Sequence, residues 1–481
     1  MVQGFSREPG THGPLTAVTP DGLRRIKRWA AVIAVGGFLF GFDTGVVSGA
    51  LLYIRSDFGL NSFQQGSVVS VLLIGSVIGA MGSGGLADRW GRRRLLGAAG
   101  AVFLAGTALA VFSTGYPMLL AARIVLGLAV GTASALVPVY LSEISPTAVR
   151  GRLLTMNQLL ITVGILVAYL VNMVFSGGGH WRAMFACGAV PAVVLVVASL
   201  WFLPESPQWQ IASGRPDLAR AAIASVTDGP TADRLVATAQ RRIADARTSS
   251  GAEDGGRRLR APDVRPALVV GLTLALVQQF GGINTIIYYA PTIIEQTGLN
   301  ASNSIVYSVA IGVINLVMTL VAIKLVDRVG RRPMVLVSLG VMAASVFLLG
   351  LSFVAHLSSG LTLLFMVVYI ASFAGGLGPV FWTLIGEIFP PTVRAQGSSA
   401  STAVNWVANF VVSLAFLPLA TVIGQGETFW IFAGICVLAF LFVGRFLPET
   451  RGRDAEQIQQ DLNRRFGRRP RTPGRTKAPL N

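Results

Sequence analysis

The feature that most constrains this chain is a series of twelve long apolar runs, each ended by a short polar stretch. They lie near residues 29–54, 66–87, 95–112, 117–141, 153–175 and 183–203, then near 266–290, 304–326, 333–355, 361–385, 397–423 and 428–447. A helix needs about 17–25 apolar residues to cross the hydrocarbon of a bilayer. Lipid offers no partner to an unpaired amide, so a crossing segment must be a helix or part of a closed barrel. Barrel strands alternate apolar and polar residues over roughly ten positions, and these runs do not. The pattern predicts an all-α membrane protein with twelve transmembrane helices. Composition agrees: only 13% of the 481 residues are charged and 53% are hydrophobic, whereas a soluble chain carries about 25% charged residues.

The basic residues give the orientation. If the N-terminus and every even-to-odd connection share one side, 34 of the 39 Lys and Arg fall there, and only Arg55 and Arg182 on the other. The positive-inside rule then places both termini and the crowded loops in the cytoplasm, around a multi-pass protein of the cell (plasma) membrane. The formal charge of +17 reads as topology plus attraction to the anionic lipid bilayer, and no nucleic acid is expected as a partner. Residues 1–28 lack the short apolar region and cleavage site of a secretory leader, so the first run reads as a retained span.

Enzymatic signatures are missing. Lys27, Lys324 and Lys477 lie in no Gly-Lys-Ser/Thr sequence, and none of His12, His180 and His356 begins a His-Glu-x-x-His motif. Cys187 and Cys436 fall inside apolar runs, which argues against a thiolate metal site. No catalytic residue, metal or cofactor is expected.

The two halves repeat each other. Gly85–Arg93 (GLADRWGRR) recurs as Leu325–Arg332 (LVDRVGRR), Leu141–Arg150 (LSEISPTAVR) as Ile385–Arg394 (IGEIFPPTVR), and Pro204-Glu205-Ser206 as Pro448-Glu449-Thr450. Six spans per half give the repeats one orientation, as parallel repeats require. The expected layout is a cytoplasmic segment 1–28, an N-terminal six-helix bundle 29–203, a cytoplasmic loop 204–265, a C-terminal six-helix bundle 266–447 and a cytoplasmic tail 448–481. Within the loop, apolar spacing predicts short helices over 215–226 and 232–247, the second capped by Thr231, and a mobile connection 248–260. The Arg/Pro-rich distal tail, from Arg464, is expected to be disordered.

With these motifs the chain resembles the sugar-porter branch of the major facilitator superfamily over residues 25–455. Asp88, Arg89, Gly91, Arg92 and Arg93 match the superfamily's loop motif. Pro204-Glu205-Ser206-Pro207, Gln278-Gln279-Phe280-Gly281-Gly282-Ile283-Asn284 and Pro448-Glu449-Thr450 match the sugar porters. The resemblance implies two six-helix bundles related by a pseudo-two-fold, a midplane monosaccharide site between them and alternating access; a functional monomer is expected, though the sequence does not fix the oligomeric state.

A sugar is a ring of hydroxyls, each both donor and acceptor, and neutral amides answer both at membrane depth without leaving a polar group unpaired. Apolar spans hold amides at Gln158, Gln278, Gln279, Asn284, Asn315 and Asn405, with Trp382 and Trp406 near them. Pattern alone leaves each open as ligand contact or helix–helix glue. The resemblance implies that Gln158, Gln278, Gln279, Asn284, Asn315 and Trp382 contact sugar, with Asn405, Trp406, Tyr288 and Phe40 beside them. Ile165 and Asn405 resemble the glucose-transporting branch, so glucose or a similar hexose is expected, with galactose, xylose and inositol open.

Phe40-Gly41-Phe42-Asp43-Thr44-Gly45 contains the one acid deep in any run, and an intramembrane Asp is a functional candidate by default. Arg123 is its natural partner, either in a static pair or in one that opens when Asp43 takes a proton. An acid here resembles the proton-coupled bacterial symporters; a uniporter, a non-transporting sensor and a drug–proton antiporter remain as alternatives. At the cytoplasmic ends, Glu143, Glu205, Glu387 and Glu449 are expected to pair with Arg89, Arg93, Arg150, Arg328, Arg332 and Arg394, beside Asp88 and Asp327, in a gate that breaks when that end opens. Gly375-Gly376-Leu377-Gly378-Pro379 is expected to loosen the tenth helix, as hinge or as ordinary packing.

Overall fold

The computed structural model describes residues 18–146, 149–248, 261–262, 264–390 and 393–467. Among them, twelve helices are long and apolar enough to cross a membrane: Pro20–Asp57, Ser62–Trp90, Arg92–Val111, Tyr116–Ile144, Arg152–Ser176 and Trp181–Trp201 in the first half, and Arg265–Glu295, Ala301–Val326, Arg331–Val354, Ser359–Glu387, Gln396–Ile423 and Gln425–Phe446 in the second. They are called spans 1 to 12 below. The described chain is all-α, with the helices of a multi-pass membrane protein.

Local chemistry explains where the helices start and stop. Asn61 opens span 2 with a capping box shared with Gln64, and Asn300, at the corresponding place of the second half, caps span 8 through the Asn303 N–H. Gly91 (φ 91°) and Gly330 (φ 103°) turn the chain between spans 2 and 3 and between spans 8 and 9.

Packing in the first half depends on bare backbone. Gly37, Gly41, Gly45 and Gly49 recur every fourth residue on span 1 and all face span 5. A Cβ on Gly41 would stand 1.9 Å from the Ile161 carbonyl oxygen, and one on Gly37 2.3 Å from Asn157 Oδ1. Spans 2 and 4 meet the same way through Gly75, Gly79, Gly127 and Gly131. In lipid, where apolar side chains gain little from meeting each other, such close approach is a main source of helix affinity.

Three seams join the halves: span 2 on span 11, span 5 on span 8, and span 1 on span 7. Their polar contacts gather at the end away from the basic loops. There Arg55 Nη2 lies 2.7 Å from Glu295 Oε1, the Ser62 and Thr421 hydroxyls are 2.9 Å apart, and those of Ser176 and Ser302 are 2.9 Å apart. A little deeper, the Tyr169 hydroxyl donates to the Ile287 carbonyl at 2.7 Å. At the basic end, the hydrogen bonds and ion pairs seen between described residues all stay within one half.

The basic end carries more structure than the apolar runs announce. Short helices span Pro207–Ala212, Pro216–Ala224 and Gly229–Thr248. The last starts earlier than expected: Asp228, not Thr231, is the cap, accepting the Thr231 N–H at 2.7 Å. The chain before span 1 pairs back on this segment, with Thr19 N–H donating to the Val226 carbonyl at 3.3 Å. The tail folds into a helix, Ala455–Arg465, capped by Asp454, with Ile458 and Leu462 buried. It is too short and polar for an apolar-run search to register. Most of the connection 248–260, and the tail beyond residue 467, lie outside the described residues.

Gly41→Ala should lower the thermal midpoint of the purified protein in detergent, costing about 1–3 kcal/mol for an overpacked contact. Gly82→Ala, where a Cβ meets nothing within 4 Å, should not. Equal midpoints for the two variants would contradict the close-approach account of spans 1 and 5.

Candidate functional site

Spans 7 and 10 are each broken partway along. Span 7 stops at Phe280 and resumes at Ile283, and Gly282 between them has φ 96°, a conformation only glycine adopts freely. Span 10, whose glycines were expected to loosen it, stops at Gly375 and resumes at Leu377 around Gly376. The breaks meet: the Tyr369 hydroxyl donates to the freed Gly281 carbonyl at 2.6 Å, and Gln278 Nε2 reaches the Gly378 carbonyl at 3.5 Å. Discontinuous helices of this kind line substrate sites in secondary transporters.

The amides singled out in the sequence gather here. Asn284 Nδ2 donates to Gln279 Oε1 at 2.7 Å. Gln279 Nε2 donates to Gln278 Oε1 at 3.2 Å and to Asn405 Oδ1 at 3.1 Å. Asn405 Nδ2 donates to Gln278 Oε1 and, at 3.1 Å, to the Ala275 carbonyl. Four amides from spans 7 and 11 thus satisfy one another, and a hydroxylated ligand would exchange these bonds for its own. Trp382, 43% exposed, stands one helical turn beyond Gly378 on the same face. Gln158 is half-buried on span 5 and Asn315 buried on span 8; no contact ties either to the four-amide cluster.

The acid and its partner come together as expected. Arg123 Nη1 lies 2.7 Å from Asp43 Oδ1, and Arg123 Nε donates to the Val68 carbonyl at 2.9 Å. Asp43 is 2% and Arg123 1% exposed. Asp43 Oδ2 has no protein hydrogen-bond partner among the described residues, so it can take up a proton without giving up a hydrogen bond.

Two links join this pair to the amides. Phe40, one turn before Asp43, packs on Trp406 with ring centroids 5.7 Å apart, and Trp406 follows Asn405. Tyr288, one turn after Asn284, places its hydroxyl among Thr44, Asn409 and the Asp43–Arg123 pair. Tyr288 is thereby closer to the acid than the sequence suggested. Thr44 and Asn409 were missed, although Asn409 lies one turn from Asn405 and could have been found by helical spacing.

At the basic end each half builds the same constellation, but around arginines the sequence analysis did not choose. Arg92 grips Glu143 at 3.0 and 3.1 Å, and Arg331 grips Glu387 at 3.0 Å. Glu205 accepts the N–H groups of Arg92 and Arg93 at 2.8 and 3.1 Å, and Glu449 those of Arg331 and Arg332 at 3.0 and 3.1 Å. These glutamates cap the positive ends of spans 3 and 9, seated over glycine turns that leave no room for a Cβ. Arg89 and Arg328 are exposed. Arg93 and Arg332 turn to the carbonyls of Leu203 and Gly444, and Arg150 and Arg394 to those of Ser145 and Phe389. Asp88 meets Arg92 at 3.2 Å; the Asp327 side chain lies outside the described residues. The ion pairs and capping contacts seen here between described residues therefore staple each half internally.

Parallel six-helix repeats, paired helix breaks and a buried acid define a secondary transporter, not an enzyme. The chain belongs to the sugar (and other) transporter family, whose model matches residues 29–462, within the sugar porters of the major facilitator superfamily. It is 39% identical to the glucose transporter GlcP of Staphylococcus epidermidis over 91% of this chain and 97% of that one. It is 37% identical to the galactose-proton symporter of Escherichia coli, over 89% and 92%. The xylose transporter XylE from E. coli in a partially occluded inward-open conformation superposes with TM-score 0.78 at 30% identity, covering 89% of this chain and 99% of that one. The same transporter bound to 6-bromo-6-deoxy-D-glucose gives 0.72 at 30% identity, over 91% and 99%.

Two outcomes follow. Gln279→Ala and Asn284→Ala should each weaken sugar binding by about 1–3 kcal/mol, since the remaining amides and sugar hydroxyls lose partners; calorimetric titration with unchanged affinity in both would remove the cluster from the site. Burial pushes the Glu449 carboxyl up, but the N–H groups of Arg451, Arg331, Arg332 and Thr450 outweigh it and hold its pKa below the ordinary 4.5. Its contribution to stability is therefore fully present above pH 4.5 and lost as pH falls through the lower folded value. Glu449→Gln should lower the thermal midpoint at neutral pH and flatten its fall in acid, measured by differential scanning fluorimetry.

Proposed function

We propose that this chain is a proton-coupled monosaccharide importer that works by alternating access, with its basic end and both termini in the cytoplasm. The observation that carries the proposal is the double link between the buried Asp43–Arg123 pair and the amide cluster, through Phe40–Trp406 on one side and Asn284–Tyr288 on the other. A sugar seated on Gln278, Gln279, Asn284 and Asn405, with Trp382 across its apolar face, pulls on the helices that press against the acid. A proton on Asp43 neutralises one member of the ion pair and frees Arg123, so the state of the acid and the seating of the sugar favour the same rearrangement. Return of the proton to the cytoplasm restores the pair.

Glucose or a similar hexose is the proposed substrate. Ile165 and Asn405 favour it, and the relatives this chain is similar to include a glucose transporter and a galactose-proton symporter. A second reading, uniport, has one observation in its favour: the Arg123 guanidinium is also held by the Val68 carbonyl, as a purely structural pair would be.

Accumulation separates the two. Moving one charge through 100 mV is worth about 2.3 kcal/mol, enough to concentrate sugar several tens of fold. In proteoliposomes with an imposed proton gradient, Asp43→Asn should abolish accumulation of labelled glucose and retain counterflow. Accumulation that persists in this variant, or in the wild type with a protonophore, would leave uniport.

A further inference from the structure

The spans hold one ion pair between described residues that crosses from one half to the other. It is Arg55–Glu295, 2.7 Å apart, at the ends of spans 1 and 7 away from the basic loops, with side chains 31% and 20% exposed. The other ion pairs seen between described residues, including those of the repeated motifs, stay within a half or within one of its surface segments. Flanking the crossing pair are the Ser62–Thr421 and Ser176–Ser302 hydroxyl contacts, which also join the halves. Arg55 is one of only two basic residues expected at this end, and the other, Arg182, is engaged within its own half by Asp57, the Ser113 carbonyl and the Trp181 ring.

We infer that Arg55 and Glu295 are the gating residues of the mouth opposite the basic end: their pair holds that mouth shut and must break each time the carrier opens there to take a substrate. The position follows from lever geometry. Spans 1 and 7 carry Asp43 and the amide cluster respectively, so parting their ends moves both functional groups apart. It also follows from screening, because a partly exposed pair contributes a small bias that thermal motion can overcome, as a gate cycling in every turnover requires. The buried Asp43–Arg123 pair could not serve so, since separating it exposes two charges to an apolar interior.

The inference rests on the alternating-access reading, but its test measures the mouth directly and needs neither transport nor a known sugar. In a background with Cys187 and Cys436 replaced by alanine, spin labels at Gly177→Cys and Gln296→Cys report the distance between the halves at this end. Arg55→Ala and Glu295→Gln should each raise the open-to-closed ratio about two- to fivefold, the size expected for a partly exposed pair. Arg55→Lys should stay near the wild type, and the reversed pair Arg55→Glu with Glu295→Arg should return the distribution toward closed. High salt should open the wild type and leave Arg55→Ala unmoved. A distance distribution unchanged in both single variants, or a reversed pair no more closed than either single variant, would overturn the assignment. If one single variant does not fold, the other and the salt titration decide between the same two outcomes.

Discussion

Hydrocarbon gives nothing to a polar group, and this constraint organises the interior. A lone aspartate at membrane depth would be costly, so Asp43 comes with Arg123 at 2.7 Å, and Arg123 comes with the Val68 carbonyl. The broken helices of spans 7 and 10 release backbone groups that must be answered, and Tyr369 and Gln278 answer them. The four amides bond one another for the same reason. Every one of these groups finds its partner within the protein rather than in lipid.

How much was legible in the sequence varied with the physics of each part. The twelve spans were, because the bilayer imposes length and apolarity residue by residue; only their ends moved, as with the helix that begins at Pro20. Asp43 and the four linked amides Gln278, Gln279, Asn284 and Asn405 were, because a polar residue in an apolar run stands out; Asn409 stands out in the same way and was passed over, and Gln158 and Asn315 lie apart from the cluster. The basic-end pairing was legible as a motif but not as a set of partners. Nothing in GRR says that Arg92 and Arg331 reach the glutamates while Arg89 and Arg328 face outward; that depends on the turn at Gly91 and Gly330, whose positive φ aims the next residues inward. Arg55–Glu295 was invisible for a different reason. Its members are 240 positions apart, and only the tertiary arrangement brings the ends of spans 1 and 7 together.

The two halves are equivalent in their basic-end staples and unequal in their middles. The first half sets bare glycine backbone between spans 1 and 5 and between spans 2 and 4, and it holds the buried ion pair. The second half has the breaks beside Gly282 and Gly376 and most of the amides, while the first half's interruptions fall at Ala34 in span 1 and at Cys187–Gly188 in span 6. The buried charge thus sits in one half and the linked amides in the other.

Each six-helix half closes on itself: Glu205 returns from the end of span 6 to cap span 3, and Glu449 returns from span 12 to cap span 9. Neither half borrows a cap from its neighbour. A half complete in this sense can tilt against its neighbour as a body, because none of these caps has to be given up when the facing surfaces shift.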